Sequence, residues 1–202
     1  GLGDVYKRQP TTLVNTRRIG GSPQAPVLRT AAAINDRELS LPAELLGAAK
    51  ATGQLGSFRY GVLTAFEDEV SFNATANGQR VRVAQDGSDY GIARLLYENN
   101  DSGYRAIGLL NTAVQHYDRD AYVTGLDWHL LTKSGKLKMD GQVFRSDLDG
   151  IDAGYGGFVD FEYAFRQGVR QRLGIEYFDD DVNINDLGFQ SRNHYRQIRT
   201  AH

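Results

Sequence analysis

Over long stretches the chain alternates residue by residue between apolar and polar or small side chains, most cleanly between Ala153 and Tyr177. Tyr155, Val159, Phe161, Tyr163 and Phe165 fall at one parity, and Gly154, Gly156, Asp160, Glu162 and Arg166 at the other. After a turn at Arg166-Gln167-Gly168, Val169, Leu173, Ile175 and Tyr177 oppose Arg170, Arg172, Gly174 and Glu176. Successive side chains of a strand point to opposite faces, so the pattern predicts a two-faced antiparallel hairpin. One face is aromatic and aliphatic, the other charged and glycine-rich.

The same rhythm runs through most of the chain. Phe58, Tyr60, Val62 and Phe66 oppose Arg59, Gly61 and Glu67, predicting a strand over Phe58–Glu67, preceded by a small-residue strand over Leu45–Gly53. From Asp89 onward, strand-like segments of about ten residues alternate with short turns. They cover Tyr90–Glu98, Tyr104–Val114, Tyr122–Leu130 and Leu137–Val143. Thr11–Ile19 reads as a short strand, 22–42 as a loop, and 71–87 as a polar segment with an Asn77-Gly78 turn. Ser146–Asp152 reads as an acidic loop, and Asp179–Asp186 as a solvated acidic hairpin loop. An even meander of this kind points to an all-β, up-and-down antiparallel barrel. Its segments have the length a tilted strand needs to cross a bilayer.

Alternation does not say which face meets water. A transmembrane barrel, a soluble sandwich and a lipocalin-like barrel all alternate, and the two soluble folds bury the apolar face instead. Glycines on the polar face favour the membrane barrel, because a water-facing outer surface has no special need of residues without side chains. Aromatics near strand ends, among them Tyr90, Tyr97, Tyr104, Tyr122, Tyr163, Phe165 and Tyr177, suit an interfacial girdle.

Composition narrows the classes. A net charge of −2 over 202 residues gives no basic footprint for nucleic acid. Mean hydropathy is −0.46. No run approaches the roughly 18 apolar residues of a membrane helix, which excludes helical spanning and says nothing against strands. With 23 Gly, 11 Tyr, 9 Phe and only 4 Pro, the chain fits all-β structure. The absence of cysteine removes disulfides, thiolate metal sites and a thiol nucleophile. At the start, Asp4–Gln9 (DVYKRQ) matches a translated frame of the transposon end used in sequencing-library preparation. Residues 1–9 are therefore expected to be a library scar or disordered tail, and 10–202 the structured domain.

Five segments in order carry a family resemblance: NTRRIGGSPQ (Asn15–Gln24), LLGAAKATGQLGSFRYGVLTAF (Leu45–Phe66), YGIARLLYENN (Tyr90–Asn100), YVTGLDWHLL (Tyr122–Leu131) and LGFQSRNHYRQ (Leu187–Gln197). Together they resemble the bacterial outer-membrane family known as domain of unknown function 5916. Its members typically place a carbohydrate-binding family-9-like domain ahead of a C-terminal β-barrel. The resemblance implies a Gram-negative cell outer membrane location, membrane lipid as partner, and saccharide-like ligands reached through the N-terminal domain. No such domain precedes Pro10, and family members continue with further strands past the position of His202. The expectation is thus an incomplete portion of a larger transmembrane barrel. The alternatives are a soluble β-barrel or sandwich binding module and, third, a surface glycan hydrolase.

Candidate chemistry is sparse. Asp179, Asp181, Asn183 and Asn185 alternate like calcium ligands, but the sixth and twelfth positions hold Ile184 and Gln190 where an EF-hand needs Gly and Glu. His116, His129, His194 and His202 lack the spacing of a helical metal motif, and His129 is expected to be a wall residue satisfied by neighbours. No P-loop, dinucleotide fingerprint, nucleophile elbow or HExxH motif occurs. The expectation is no enzyme, no cofactor and no metal. The strongest constellation is a set of charges expected to line a lumen: Asp127, Asp140, Asp160, Glu162, Arg170, Arg172 and Glu176, with Lys136, Lys138 and Arg166 at the same parity. Asp160 and Glu162 are expected to pair across the hairpin with Arg170, Arg172 or neighbours.

Overall fold

The alternation resolves into one long antiparallel ladder. The structure is a computed structural model that describes residues 12–23, 25–26, 32–190 and 194–201. The suspected scar at residues 1–9 lies outside the described residues. The strands are β1 (Ala32–Ile34), β2 (Leu45–Leu55), β3 (Phe58–Glu67), β4 (Val70–Ala76), β5 (Gln79–Gln85), β6 (Asp89–Asn99), β7 (Gly103–Gln115), β8 (Asp120–Thr132), β9 (Leu137–Leu148), β10 (Ile151–Arg166), β11 (Val169–Phe178) and β12 (Tyr195–Ala201). One helical turn, α1 (Asp36–Leu39), follows β1, with Asn35 capping it through the Arg37 amide.

Nine strands form the main sheet in the order β12-β11-β10-β9-β8-β7-β6-β3-β2, every neighbouring pair antiparallel. The fold is therefore all-β and up-and-down. One interruption was not legible in the pattern: β4 and β5 leave the ladder and form a separate three-stranded sheet with β1, so β3 pairs with β6. Asn77 and Gly78 make the β4–β5 turn with φ of 50° and 76°, the pair of positive values that a type I′ turn demands. The sheet is open, and among the described residues no further strand pairs with β2 or β12.

Three expectations need correction. Thr11–Ile19 is not a strand where described. Its Thr12 makes one bridge to Phe189, and Thr16–Arg18 form a 3-10 turn. The 22–42 stretch contains β1 and α1. Ser146–Asp152 is not a loop, since β9 continues to Leu148 and β10 starts at Ile151 across the Asp149-Gly150 turn. Asp147, Asp149, Gly150 and Asp152 gave this stretch the composition of a loop, whereas Ser146 and Leu148 on the charged parity of β9 are buried.

The two faces of the main sheet have inverted polarity. The aromatic face stays exposed, with Tyr60, Leu95, Ile107, Leu126, Val143, Tyr155, Phe161 and Ile175 all accessible. Trp128 on this face lies over Gly141, where any Cβ would overlap the indole ring. Buried side chains belong to the opposite, charged parity, which is divided along the strands. Toward the β2–β3, β6–β7, β8–β9 and β10–β11 turns, here called the hairpin tips, it carries ion pairs. At the other end it carries the core. Leu13, Val123, Phe144, Phe178, Val182 and Ile184 form one cluster, and Ala65, Tyr90, Val114, Ala121, Leu148 and Leu187 a second.

Candidate functional site

Among the described residues, the charged face carries most of the sheet's ion-paired side chains. Register places them in rows. Asp127 pairs across the ladder with Gly108 and Gln142, and Gln142 with Phe158. The next row toward the tips runs His129, Asp140, Asp160, Gly174, Arg199, and the one beyond holds Lys138, Glu162 and Arg172. All seven predicted residues share this face: Asp127, Asp140, Asp160, Glu162, Arg170, Arg172 and Glu176.

Most of them are joined by ion pairs. Arg59 meets Glu98 at 2.8 Å. The Arg94 guanidinium grips Asp127 with two nitrogens, Nη2 donating to Oδ2 at 2.8 Å. Gly108 leaves the space in which that guanidinium lies, because a Cβ there would overlap it. His129 stands between two carboxylates, Nδ1 2.8 Å from Asp140 and Nε2 3.3 Å from Asp127, and Lys138 closes on Asp140 at 2.8 Å. Glu162 accepts from Arg170 at 2.8 Å and from Arg172 at 2.7 Å, the cross-hairpin pairing expected for it. Asp160 overhangs Gly174, beside the Arg199 guanidinium. Glu176 accepts from Arg199 at 2.6 Å and from the Tyr195 hydroxyl at 3.4 Å. Sequence reasoning missed Arg59, Arg94, Glu98 and Arg199 as members; their signal was simply the same strand parity.

The ladder sets cations against carboxylates and is graded in exposure. Asp127 and Glu176 side chains are 9% and 6% exposed, whereas Lys138, Arg170 and Arg172 near the tips are 56%, 60% and 57% exposed. Tip pairs in water contribute little, while the Arg94–Asp127 pair is better shielded. Arg94→Ala is expected to cost about 2 kcal/mol, because it leaves a buried carboxylate with only His129; Arg94 is itself a third exposed, which keeps the figure below that of a fully buried pair. The measurement is the denaturant midpoint, and Arg94→Met with Asp127→Leu is expected to recover most of the loss.

A second polar cluster lies at the core end. Glu67 accepts from the Gly20 amide at 2.8 Å, the Tyr90 hydroxyl at 3.1 Å and the Ser88 amide at 3.3 Å. The Ser88 hydroxyl is 2.7 Å from His116 Nδ1, His116 Nε2 is 2.9 Å from Asp186, and Arg119 reaches the same Asp186 oxygen at 2.5 Å. Ser88, His116 and Asp186 thus stand in the order of an acyl-transfer triad. Two features assign them to holding the fold instead. Ser88 is buried, and its amide is committed to the Glu67 carboxylate, which would oppose the oxyanion such chemistry must stabilise. Burial pushes the Asp186 carboxyl up, but the His116 hydrogen bond and the Arg119 charge outweigh it and hold the group below its ordinary value. A depressed carboxyl stabilises above its unfolded pKa and loses that contribution as pH falls through the folded one. This cluster therefore holds at neutral pH and weakens only below about pH 4.

The expectation of a solvated loop at Asp179–Asp186 is overturned here. Asp180 and Asp181 are exposed, but Val182, Ile184 and Leu187 are 0%, 1% and 2% exposed and belong to the core. Small residues on distant strands receive them: a Cβ at Gly154 would overlap the Val182 backbone. The Asn183 amide donates to Ser146 Oγ at 3.1 Å.

Fold and face define a class: an antiparallel meander whose exposed surface is aromatic and whose charges face the opposite way. The chain belongs to the domain of unknown function 5916 family, whose model matches residues 6–202. No curated protein and no solved structure matches it.

Proposed function

We propose that this chain is part of the wall of an outer-membrane β-barrel, its aromatic face against lipid and its charged face lining an aqueous interior. The observation that carries the reading is the inverted polarity. Large apolar side chains stay exposed across β2, β3 and β6 to β12, while Asp127 and Glu176 are buried on the other face. In water an exposed apolar sheet of this extent would drive association; in lipid it is the surface a barrel needs.

The slant of the apolar band supports the same reading. On β3 the band runs from Phe58 to Phe66, centred on Val62. Followed across the ladder, the Val62 row passes Ala93, Asn111, Thr124 and Arg145 to reach Tyr155. On the middle strands that row is already polar. On β10 the band is centred near Val159 and Phe161, four to six residues from Tyr155 after five strand-to-strand steps. A drift of about one residue, roughly 3.3 Å, per strand spacing of about 4.8 Å corresponds to a band inclined by about 35° to the perpendicular of the strands. Barrel strands tilt by about that angle, and a level lipid belt across tilted strands drifts in this way.

Strand parity bears on closure. β2 and β12 are first and ninth in an antiparallel series and run in the same direction, so joining them directly would make a parallel seam. An all-antiparallel barrel containing these nine strands needs an odd number of further strands, which agrees with a portion of a larger barrel. The binding or passage of saccharide-like solutes follows from the family resemblance alone, and a ladder of paired charges is a polar surface compatible with it.

Trp128 is the only tryptophan and sits on the aromatic face, so it reports directly. In phospholipid vesicles, acyl chains brominated at mid-depth are expected to quench its emission strongly. A chain that is folded and monodisperse in water without detergent, with Trp128 indifferent to brominated vesicles, would sink the membrane reading.

A further inference from the structure

We propose that the 179–190 segment is an inward-folded plug, latched through Asp186, that fills the core end of the charged face and leaves the hairpin tips as the open mouth to the ion-pair ladder. Three independent features converge on it. The segment inserts Val182, Ile184 and Leu187 into the sheet's own buried clusters. The sheet carries a receiving position, Gly154, at which any side chain would strike the Val182 backbone. The segment is tied by Asp186 to His116 and Arg119 of the β7–β8 turn, with His116 held in turn by Ser88, and beyond Asp186 by backbone hydrogen bonds of Leu187 and Phe189 with Asn15 and Thr12.

The exposure gradient gives the plug its consequence. At the filled end the charged-parity side chains Val114, Phe144 and Ser146 are buried. At the tips Lys138, Arg170 and Arg172 remain open to solvent. A polar solute therefore reaches the ladder from the tip side, and the plug must move before anything crosses the length of the face. Calling the filled space a channel end rests on the barrel reading; the plug and latch themselves do not.

The test uses thiol labelling, clean because the chain has no cysteine. In the full chain, in whichever medium keeps it folded, Val182→Cys is expected to react with a disulfide probe ~100-fold more slowly than Asp180→Cys, since reaction waits on local opening. Adding Asp186→Asn is expected to speed Val182→Cys by roughly tenfold or more, because Arg119 is left without its counter-ion. Arg119→Gln is a milder second variant, and an unchanged Trp128 emission shows that the sheet remains folded. Equal labelling of Val182→Cys and Asp180→Cys in the latched protein overturns the plug. Protection that neither Asp186→Asn nor Arg119→Gln relieves overturns the latch. Failure of the barrel reading appears separately, in the lipid quenching of Trp128.

Discussion

Leu126→Arg is expected to destabilise the lipid-inserted protein by about 2–4 kcal/mol, whereas Thr124→Arg, two residues along the same face, costs about 0–1 kcal/mol. Both side chains are exposed at the same parity of β8. They differ in their ladder neighbours. Leu126 lies between Leu109 and Val143, within the apolar band, while Thr124 lies between Asn111 and Arg145, at the edge of the band on these strands. Thr124 already donates a hydrogen bond to Asn111 at 2.8 Å, so this level tolerates polar atoms. A guanidinium at Leu126 must desolvate or bend toward an interface, and one at Thr124 is already near it. In water neither change would exceed about 0.5 kcal/mol, since exposed sites away from special features are insensitive. Urea unfolding of both variants in vesicles checks the asymmetry. Equal costs would remove the lipid belt from the aromatic face.

The hairpin from Ala153 to Tyr177 was legible because its information is local. Parity alone assigns Phe161 and Ile175 to one face and Asp160, Glu162, Arg172 and Glu176 to the other, and the ladder keeps that assignment across β10 and β11. Parity also gathered the ion-pair residues and gave Glu162 its partners Arg170 and Arg172, but not the partners that lie on more distant strands. Arg94 finds Asp127 from two strands away over Gly108, a juxtaposition that depends on register between β6, β7 and β8. The plug was hidden for the same reason. Val182, Ile184 and Leu187 are apolar residues spaced through an acidic run, and that spacing was the available signal. What makes them core is the space at Gly154 and around Val123 and Phe144, on strands tens of residues away, together with the nearby Phe178. Thr11–Ile19 failed similarly: it reads in sequence as a short strand, but Leu13 is drawn over Gly125 and into the same cluster. A period-2 reading recovers whatever the pleat dictates and misses segments whose conformation is dictated by the cavity they fill.

Gly154→Ala is accordingly expected to act far more strongly than Gly47→Ala, although both glycines sit in strands of the same sheet. At Gly47 of β2 an added Cβ meets nothing within 4 Å, and its φ lies outside the left-handed region. Alanine there narrows the unfolded ensemble without strain, so the change is neutral or stabilises by about 0.5 kcal/mol. At Gly154 the new Cβ would occupy the space of the Val182 backbone, and backbone cannot rotate aside as a side chain can. The 181–184 segment must lift, exposing Val182 and Ile184, each worth about 1.5–3 kcal/mol when fully buried. Partial relaxation keeps the net cost near 3–4 kcal/mol, of the size seen when core contacts are lost. Urea midpoints give the two costs, and Val182→Cys labelling in the Gly154→Ala background shows whether the lost stability is that of the plug. A large loss of midpoint with Val182→Cys still protected would mean that Gly154 serves the ladder itself, and that the plug is seated by other contacts.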